Sequence, residues 1–169
     1  MRLKYLFIPM IIVFILFAFI KVDTYYRRPL DQNTKEEQEV KVVIQTFFEG
    51  FHKQDSLLIK KVVHEVVIMQ SIGKGALGEI ELSKQDFSGF LKSICSIPET
   101  TDFEERIASY DITMDGKMAN VWTPYSFYID GKLSHCGTNS FQLFKRAGVW
   151  KIFYIVDTRD REDCVEKRA

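Results

Sequence analysis

The sequence has no surplus charge: 23 lysines and arginines balance 23 aspartates and glutamates over 169 residues. Nucleic-acid binders draw most of their affinity from phosphate contacts and show a basic excess or stripe. Neither is present, so nucleic acid is not an expected partner. Cysteine is scarce. Cys95, Cys136 and Cys164 include no Cys-x-x-Cys pair, and no histidine stands at ligand spacing from them. A zinc site is therefore not expected, and neither is another metal or cofactor. In an exported chain one disulfide and one free thiol can coexist; three free thiols is the plainer alternative. Internal repeats, low-complexity tracts, Gly-x-Ser-x-Gly and His-Glu-x-x-His are all missing.

What is there is globular. With 46% hydrophobic, 14% aromatic and 27% charged residues, the composition rules out a disordered or collagen-like chain. The length suits one domain once the N-terminus is set aside. Tyr5 to Ile20 form an apolar run broken only by Pro9 and the Tyr5 hydroxyl, with Arg2 and Lys4 before it. As a helix this run reaches about 24 Å, short of the roughly 30 Å hydrocarbon core. A basic start and a short apolar run describe a signal peptide, yet the exit Phe17-Ala18-Phe19-Ile20 lacks a clear cleavage pattern. Residues 1–22 are thus read as a signal peptide or an uncleaved membrane anchor. The expected location is exported: periplasmic, or anchored with the domain outside the cytoplasm.

Residues 23–34 read as a linker, 35–164 as the domain and 165–169 as a tail. Thr34-Lys35-Glu36-Glu37 fits a capping box, followed by Val40, Val43, Ile44, Phe47, Phe48 and Phe51 at helical spacing. Asp55 can cap a second helix to about Val63, and Ser83 a third bearing Phe87, Phe90, Leu91 and Ile94. Val66 to Ile72 reads as a strand. Gly73-Lys74-Gly75-Ala76-Leu77-Gly78 satisfies Gly-x-Gly-x-x-Gly, but Glu79-Ile80-Glu81-Leu82 after it alternates like a strand. The dinucleotide fingerprint needs a helix there, so this is read as a connection between extended segments.

The C-terminal half predicts four strands: Arg106–Met114, Lys117–Ile129, Lys132–Arg146 and Val149–Asp157. They are separated by Asp115-Gly116, Asp130-Gly131 and Ala147-Gly148. Asp-Gly between alternating runs signals a tight hairpin, because a type I′ turn needs positive φ at both positions. The expectation is an α+β fold: a curved antiparallel sheet, made of a four-stranded meander plus one or two earlier strands. Three helices from the N-terminal half pack against it and close a cone.

At this point the residues carry a likeness. The helix end Phe47-Phe48-Glu49-Gly50-Phe51-His52-Lys53-Gln54-Asp55 resembles the start of the nuclear transport factor 2-like superfamily. Ala119-Asn120-Val121-Trp122, Tyr125, Phe127, Ser134-His135-Cys136-Gly137, Phe141-Gln142-Leu143 and Gly148-Val149-Trp150-Lys151-Ile152 resemble its bacterial "lumazine-binding" or polyketide-cyclase-like branch. The resemblance spans about residues 36 to 164 and implies the cone fold. It does not select a chemistry, since that fold hosts isomerases, dehydratases, cyclases and binding domains.

Centring the turns on Asp130-Gly131 and Ala147-Gly148 sets Trp122 opposite Asn139, Ser126 opposite His135 and Phe141 opposite Tyr154. One face then holds Met118, Asn120, Trp122, Leu133, His135, Asn139, Phe141, Leu143, Trp150, Ile152, Tyr154 and Val156, and should meet the helices. Thr123, Tyr125, Ser134, Thr138, Gln142, Lys151, Asp157 and Arg159 fall on the other face. A one-residue bulge would invert part of this. Asn120, Trp122, His135, Asn139, Phe141 and Tyr154 are the candidate ligand-binding residues, with satisfied core polar groups as the alternative. His135 is the candidate acid/base, since histidine titrates near neutrality. Asp157-Thr158-Arg159-Asp160-Arg161 reads as a solvated strand end or as an anion site at the cavity mouth. His52 and His64 fall near helix ends and are read as exposed.

Three functions compete: a non-catalytic domain for a small apolar or aromatic ligand; an isomerase, dehydratase or cyclase using His135; and an interaction or homodimerisation module. Catalysis ranks second because the inner face assigned above holds no carboxylate. Cys136 falls opposite Arg159 in this register, five residues from Cys164, so a chain that turns back could pair the two cysteines.

Overall fold

The computed structural model describes residues 30–162 and Cys164. The apolar run at 5–20, the linker up to residue 29 and the tail at 165–169 lie outside the described residues. The chain divides into a unit ending at Lys35 and one beginning at Glu36, and the second holds the sheet and most of the helical residues. Among the described residues, three helices and seven strands occur in the order α1 (Leu30–His52), α2 (Ser56–Val62), β1 (Val63–Lys74), β2 (Ile80–Gln85), α3 (Phe87–Cys95), β3 (Phe103–Ile107), β4 (Asp111–Met114), β5 (Met118–Ile129), β6 (Lys132–Arg146) and β7 (Val149–Thr158). No described helix is long and apolar enough to cross a membrane.

Helix α1 starts at Leu30, so Thr34 lies inside it rather than capping it. Its Val40, Ile44, Phe47 and Phe48 are buried at helical spacing. The helix ends where Gln54 takes a positive φ of 55°. Asp55 caps α2 by accepting the N–H groups of Leu57 and Leu58. The cap of α3 is Asp86, which accepts the N–H of Gly89. Ser83 instead belongs to β2, opposite Ser71. The Gly-x-Gly-x-x-Gly stretch is the β1–β2 connection, closed by Gly75 N–H donating to the Glu79 carbonyl.

The sheet order is β2-β1-β7-β6-β5-β3, with β4 also on β5; β1 runs parallel to β7 and the other pairs are antiparallel. The expected single strand over 106–114 is two. It breaks at residues 108–110, where the Ala108 N–H reaches the carbonyl of Pro124. Pro124 has no N–H to return, so the ladder cannot continue through it.

Both hairpin turns sit where the sequence puts them, with positive φ at Asp130 and Gly131 and at Ala147 and Gly148. The register beyond them is shifted by two bulges. Phe127 pairs with His135 while Tyr128 pairs with Leu133, leaving Ser134 extra. Gln142 pairs with Tyr154 while Leu143 pairs with Ile152, leaving Phe153 extra. Each extra residue moves one strand by a position and so swaps its faces. On β5 the helix-facing residues are Ala119, Val121, Thr123 and Tyr125, all buried, whereas Trp122 is 48% exposed and opposite Ser140. Beyond its bulge, β7 turns Ile155 inward and pairs Asp157 with the buried Asn139. On β6 and on β7 before its bulge, Asn139, Phe141, Leu143, Trp150 and Ile152 are buried as expected.

The strand-end segment is fixed to β6. Cys136 and Asp160 exchange backbone hydrogen bonds of 2.9 and 2.8 Å, and Cys136 and Cys164 form a disulfide with Cα atoms 5.6 Å apart. Cys95 is a free, exposed thiol. A Cβ on Gly137 would lie 1.8 Å from the Thr158 carbonyl oxygen, so only glycine permits this approach.

Candidate functional site

Between the helices and the sheet lies a cavity of about 330 Å³. That is the small end of the range for small-molecule sites. Phe47, Phe48 and Phe51 from α1 and Phe90 and Ile94 from α3 form one wall. The rings interlock: Phe47 and Phe51 each stack on Phe90 with centroids 6.2 Å apart, and Phe47 meets Phe141 edge-on at 5.6 Å. The sheet side adds Phe127 and Phe141 together with a polar group: Glu105, Tyr125, His135, Asn139, Asp157 and Arg159.

Glu105 stands on β3, opposite Phe127. Its Oε1 accepts from Asn139 Nδ2 at 2.8 Å, and its backbone N–H donates to His52 Nε2 at 2.9 Å. That nitrogen therefore carries no proton, and partial burial of the ring lowers the His52 pKa against the pull of Glu104. Burial pushes the Glu105 carboxyl up to about 7; the Asn139 hydrogen bond opposes this, Asp157 adds to it, and Arg159 opposes it.

Asp157 is the hub of a second set. Arg159 Nε donates to its Oδ2 at 3.2 Å, and the Tyr125 hydroxyl lies 3.3 Å from the same oxygen and 3.0 Å from the Thr158 carbonyl. Burial and the Asp157 charge raise the Tyr125 pKa, so the phenol stays protonated. Burial works against the Arg159 charge, but Asp157 and Tyr125 outweigh it. His135 packs on Phe127 at 4.7 Å and its Nδ1 lies 3.2 Å from Ser134 Oγ. Burial, reinforced by Arg159, pushes its pKa down to about 4 against Asp157, so it is neutral at pH 7. No described cluster of three His, Cys, Asp or Glu side chains is placed to hold a metal.

Of the residues singled out in the sequence, His135, Asn139 and Phe141 line the cavity. Three others do not, because the bulges reverse their strands. Asn120 accepts from Ser140 Oγ at 3.1 Å on the outer face, Trp122 faces outward, and the Tyr154 hydroxyl bonds Gln70 Oε1. Arg159 and Asp157, read as a solvated strand end or an anion site, reach into the cavity. Glu105 escaped notice altogether. Its signal was present: Phe103, Glu105 and Ile107 share one face of an alternating strand, and an acid at an apolar position is informative.

No known family profile matches the chain, and no curated protein matches it significantly. Solved structures do. One is a nuclear transport factor 2-like protein of unknown function from Shewanella baltica, at 19% identity and TM-score 0.57, covering 80% of this chain and 100% of that one. Another is a protein of unknown function from Mycobacterium tuberculosis, at 13% identity and TM-score 0.63, covering 80% and 78%. A third is a candidate dehydratase of the nuclear transport factor 2-like family from Streptomyces avermitilis, at 11% identity and TM-score 0.57, covering 76% and 98%. These likenesses define the fold as the nuclear transport factor 2-like cone, a class that serves both ligand binding and catalysis.

Proposed function

We propose that the domain binds a small, largely apolar or aromatic molecule in its cone. The observation that carries this is one cavity with an aromatic wall facing a converging group of Glu105, Asn139, His135 and Tyr125. Flat rings give the ligand area, and the few polar groups set its orientation. Native mass spectrometry of the full chain tests it. A bound mass released on denaturation is the expected outcome; a chain that carries nothing and takes up no aromatic probe would reject it.

A second reading is favoured by Glu105. The cavity does contain carboxylates, and one of them titrates near neutrality, where general acid/base groups work best. In an isomerase, dehydratase or cyclase, Glu105 rather than His135 would move the proton, because His135 has too low a pKa to hold one at pH 7. Export remains part of the proposal and is supported by the Cys136–Cys164 disulfide, since such bonds persist in oxidising compartments. Protease accessibility of the domain on spheroplasts, where only the cytoplasmic membrane stands between protease and cytosol, checks it.

A further inference from the structure

We infer that the Cys136–Cys164 disulfide is a redox latch on the cavity. Formed, it holds Arg159 against Asp157 and completes the polar wall; reduced, it lets that wall open. This rests on the ligand-binding reading above and adds its regulation.

Strand β7 ends at Thr158, and the next residue, Arg159, lines the cavity together with Asp157. The segment beyond is held from two sides. Towards β1, the Arg159 N–H donates to the Ile72 carbonyl at 2.8 Å, and Lys74 pairs with Glu162. Towards β6, an isolated backbone bridge joins Cys136 and Asp160. The Glu162 N–H turns back onto Asp160 Oδ1 at 3.0 Å, and Cys164 is then bonded to Cys136. Lys74 and Glu162 are mostly exposed, and ion pairs in water add little. A bridge at one rung with such pairs beside it holds a strand end weakly, and ends of this kind open locally. The disulfide removes that freedom, because it ties the far end of the segment to the strand that Asp160 pairs with.

Thr158 is the hinge. Its Oγ1 accepts the Thr138 N–H and its carbonyl accepts the Tyr125 hydroxyl, both at 3.0 Å. Opening therefore stops there and leaves the sheet intact. What it takes away is the cation of Asp157. That side chain is 13% exposed, and Arg159 Nε lies 3.2 Å from its Oδ2. Without Arg159 a part-buried carboxylate stands uncompensated in the cavity wall. It must then be solvated, and an apolar ligand has to displace that water.

Cys136 and Cys164 are both half-buried, within reach of a small dithiol. One thiolate of the dithiol attacks a cysteine sulfur, and its second thiol displaces the mixed disulfide. Two electrons pass to the protein, two protons end on Cys136 and Cys164, and the reductant leaves as a cyclic disulfide. Thiol pools keep such bonds reduced in the cytosol, and they persist in oxidising compartments. The chain thus becomes fully competent for ligand only after export.

The test uses the full chain, oxidised or in dithiothreitol, with 2-naphthol as probe. Ligand-observed NMR reads the affinity, and amide hydrogen exchange reads the segment. Reduction should weaken 2-naphthol about tenfold, as when the closed arrangement falls to about a tenth of the population. The Arg159 and Asp160 N–H groups should lose protection, while Phe141 and Leu143 on β6 keep theirs. Cys164→Ser should bind like the reduced wild type and ignore dithiothreitol. Arg159→Gln should weaken binding to the oxidised chain, and reduction should then add nothing, because both changes remove one contact. Binding indifferent to reduction, or losses from Arg159→Gln and reduction that multiply, would overturn the inference and leave the binding reading intact. Protection lost throughout the sheet would overturn it too, since the bond would then staple the whole fold. If the oxidised chain takes up no 2-naphthol, both readings fall. Should a variant not fold, the oxidised and reduced wild type decide alone.

Discussion

At Gly137 a single hydrogen atom decides whether the strand end can lie on β6. Gly137→Ala would drive a methyl group into the Thr158 carbonyl and against the Tyr125 ring. Neither neighbour can yield, since Thr158 Oγ1 holds the Thr138 N–H and Tyr125 is buried. A loss of roughly 2–3 kcal/mol is expected, at the upper end for overpacking, and urea denaturation measures it. Glu105 and His135 form a second residue-scale pair. Glu105 has a higher pKa in the folded chain than its ordinary 4.5, so its contribution is full below about 4.5 and lost as pH rises through about 7. His135 has a lower pKa than its ordinary 6.5, so its contribution is full above that value and lost as pH falls through about 4. The two slopes oppose each other between about pH 4.5 and 6.5. Relative to wild type, Glu105→Gln should therefore become less stable with acid over this window, and His135→Gln more stable. Melting curves at pH 4.5, 5.5 and 6.5 decide; two variants that track wild type would contradict the assignment. His135 and Asn139 were legible because β6 alternates without interruption from His135 through the apolar Phe141 and Leu143, beyond its bulge at Ser134. Glu105 was not, because a strand of five residues beside two other charges reads as surface.

Elements were easier to see than faces. The apolar stripe of α1, the Asp55 cap and both positive-φ turns are local matters, settled within a few residues. Ser83 misled because Asp86, three positions on, offers the same capping chemistry at the true helix start. Face assignment is different, since parity travels along a strand and one extra residue reverses everything beyond it. The contrast is measurable in two truncations. Phe47 is 4% exposed among Phe48, Phe90 and Phe141, so Phe47→Ala should cost about 3–5 kcal/mol. Trp122→Ala, on the outer face, should cost about 1 kcal/mol or less and leave probe binding unchanged. Equal losses for the two would mean that the β5 register is wrong.

For the whole molecule, the bulges make chain length and side-chain orientation separable quantities. Removing Ser134 would leave Tyr128 with Leu133 and Phe127 with His135 as consecutive rungs; removing Phe153 would do the same for Gln142 with Tyr154 and Leu143 with Ile152. All other pairs would stand. Deleting an ordinary rung such as Ser140 has no such escape, because the residues on one side of the gap must change partners or faces. Insertions and deletions in descendants of this gene should therefore be survivable at residues 134 and 153 and scarce between them. Where one does occur, the lost kink should flatten the sheet and make the cone shallower while its polar residues stay in place.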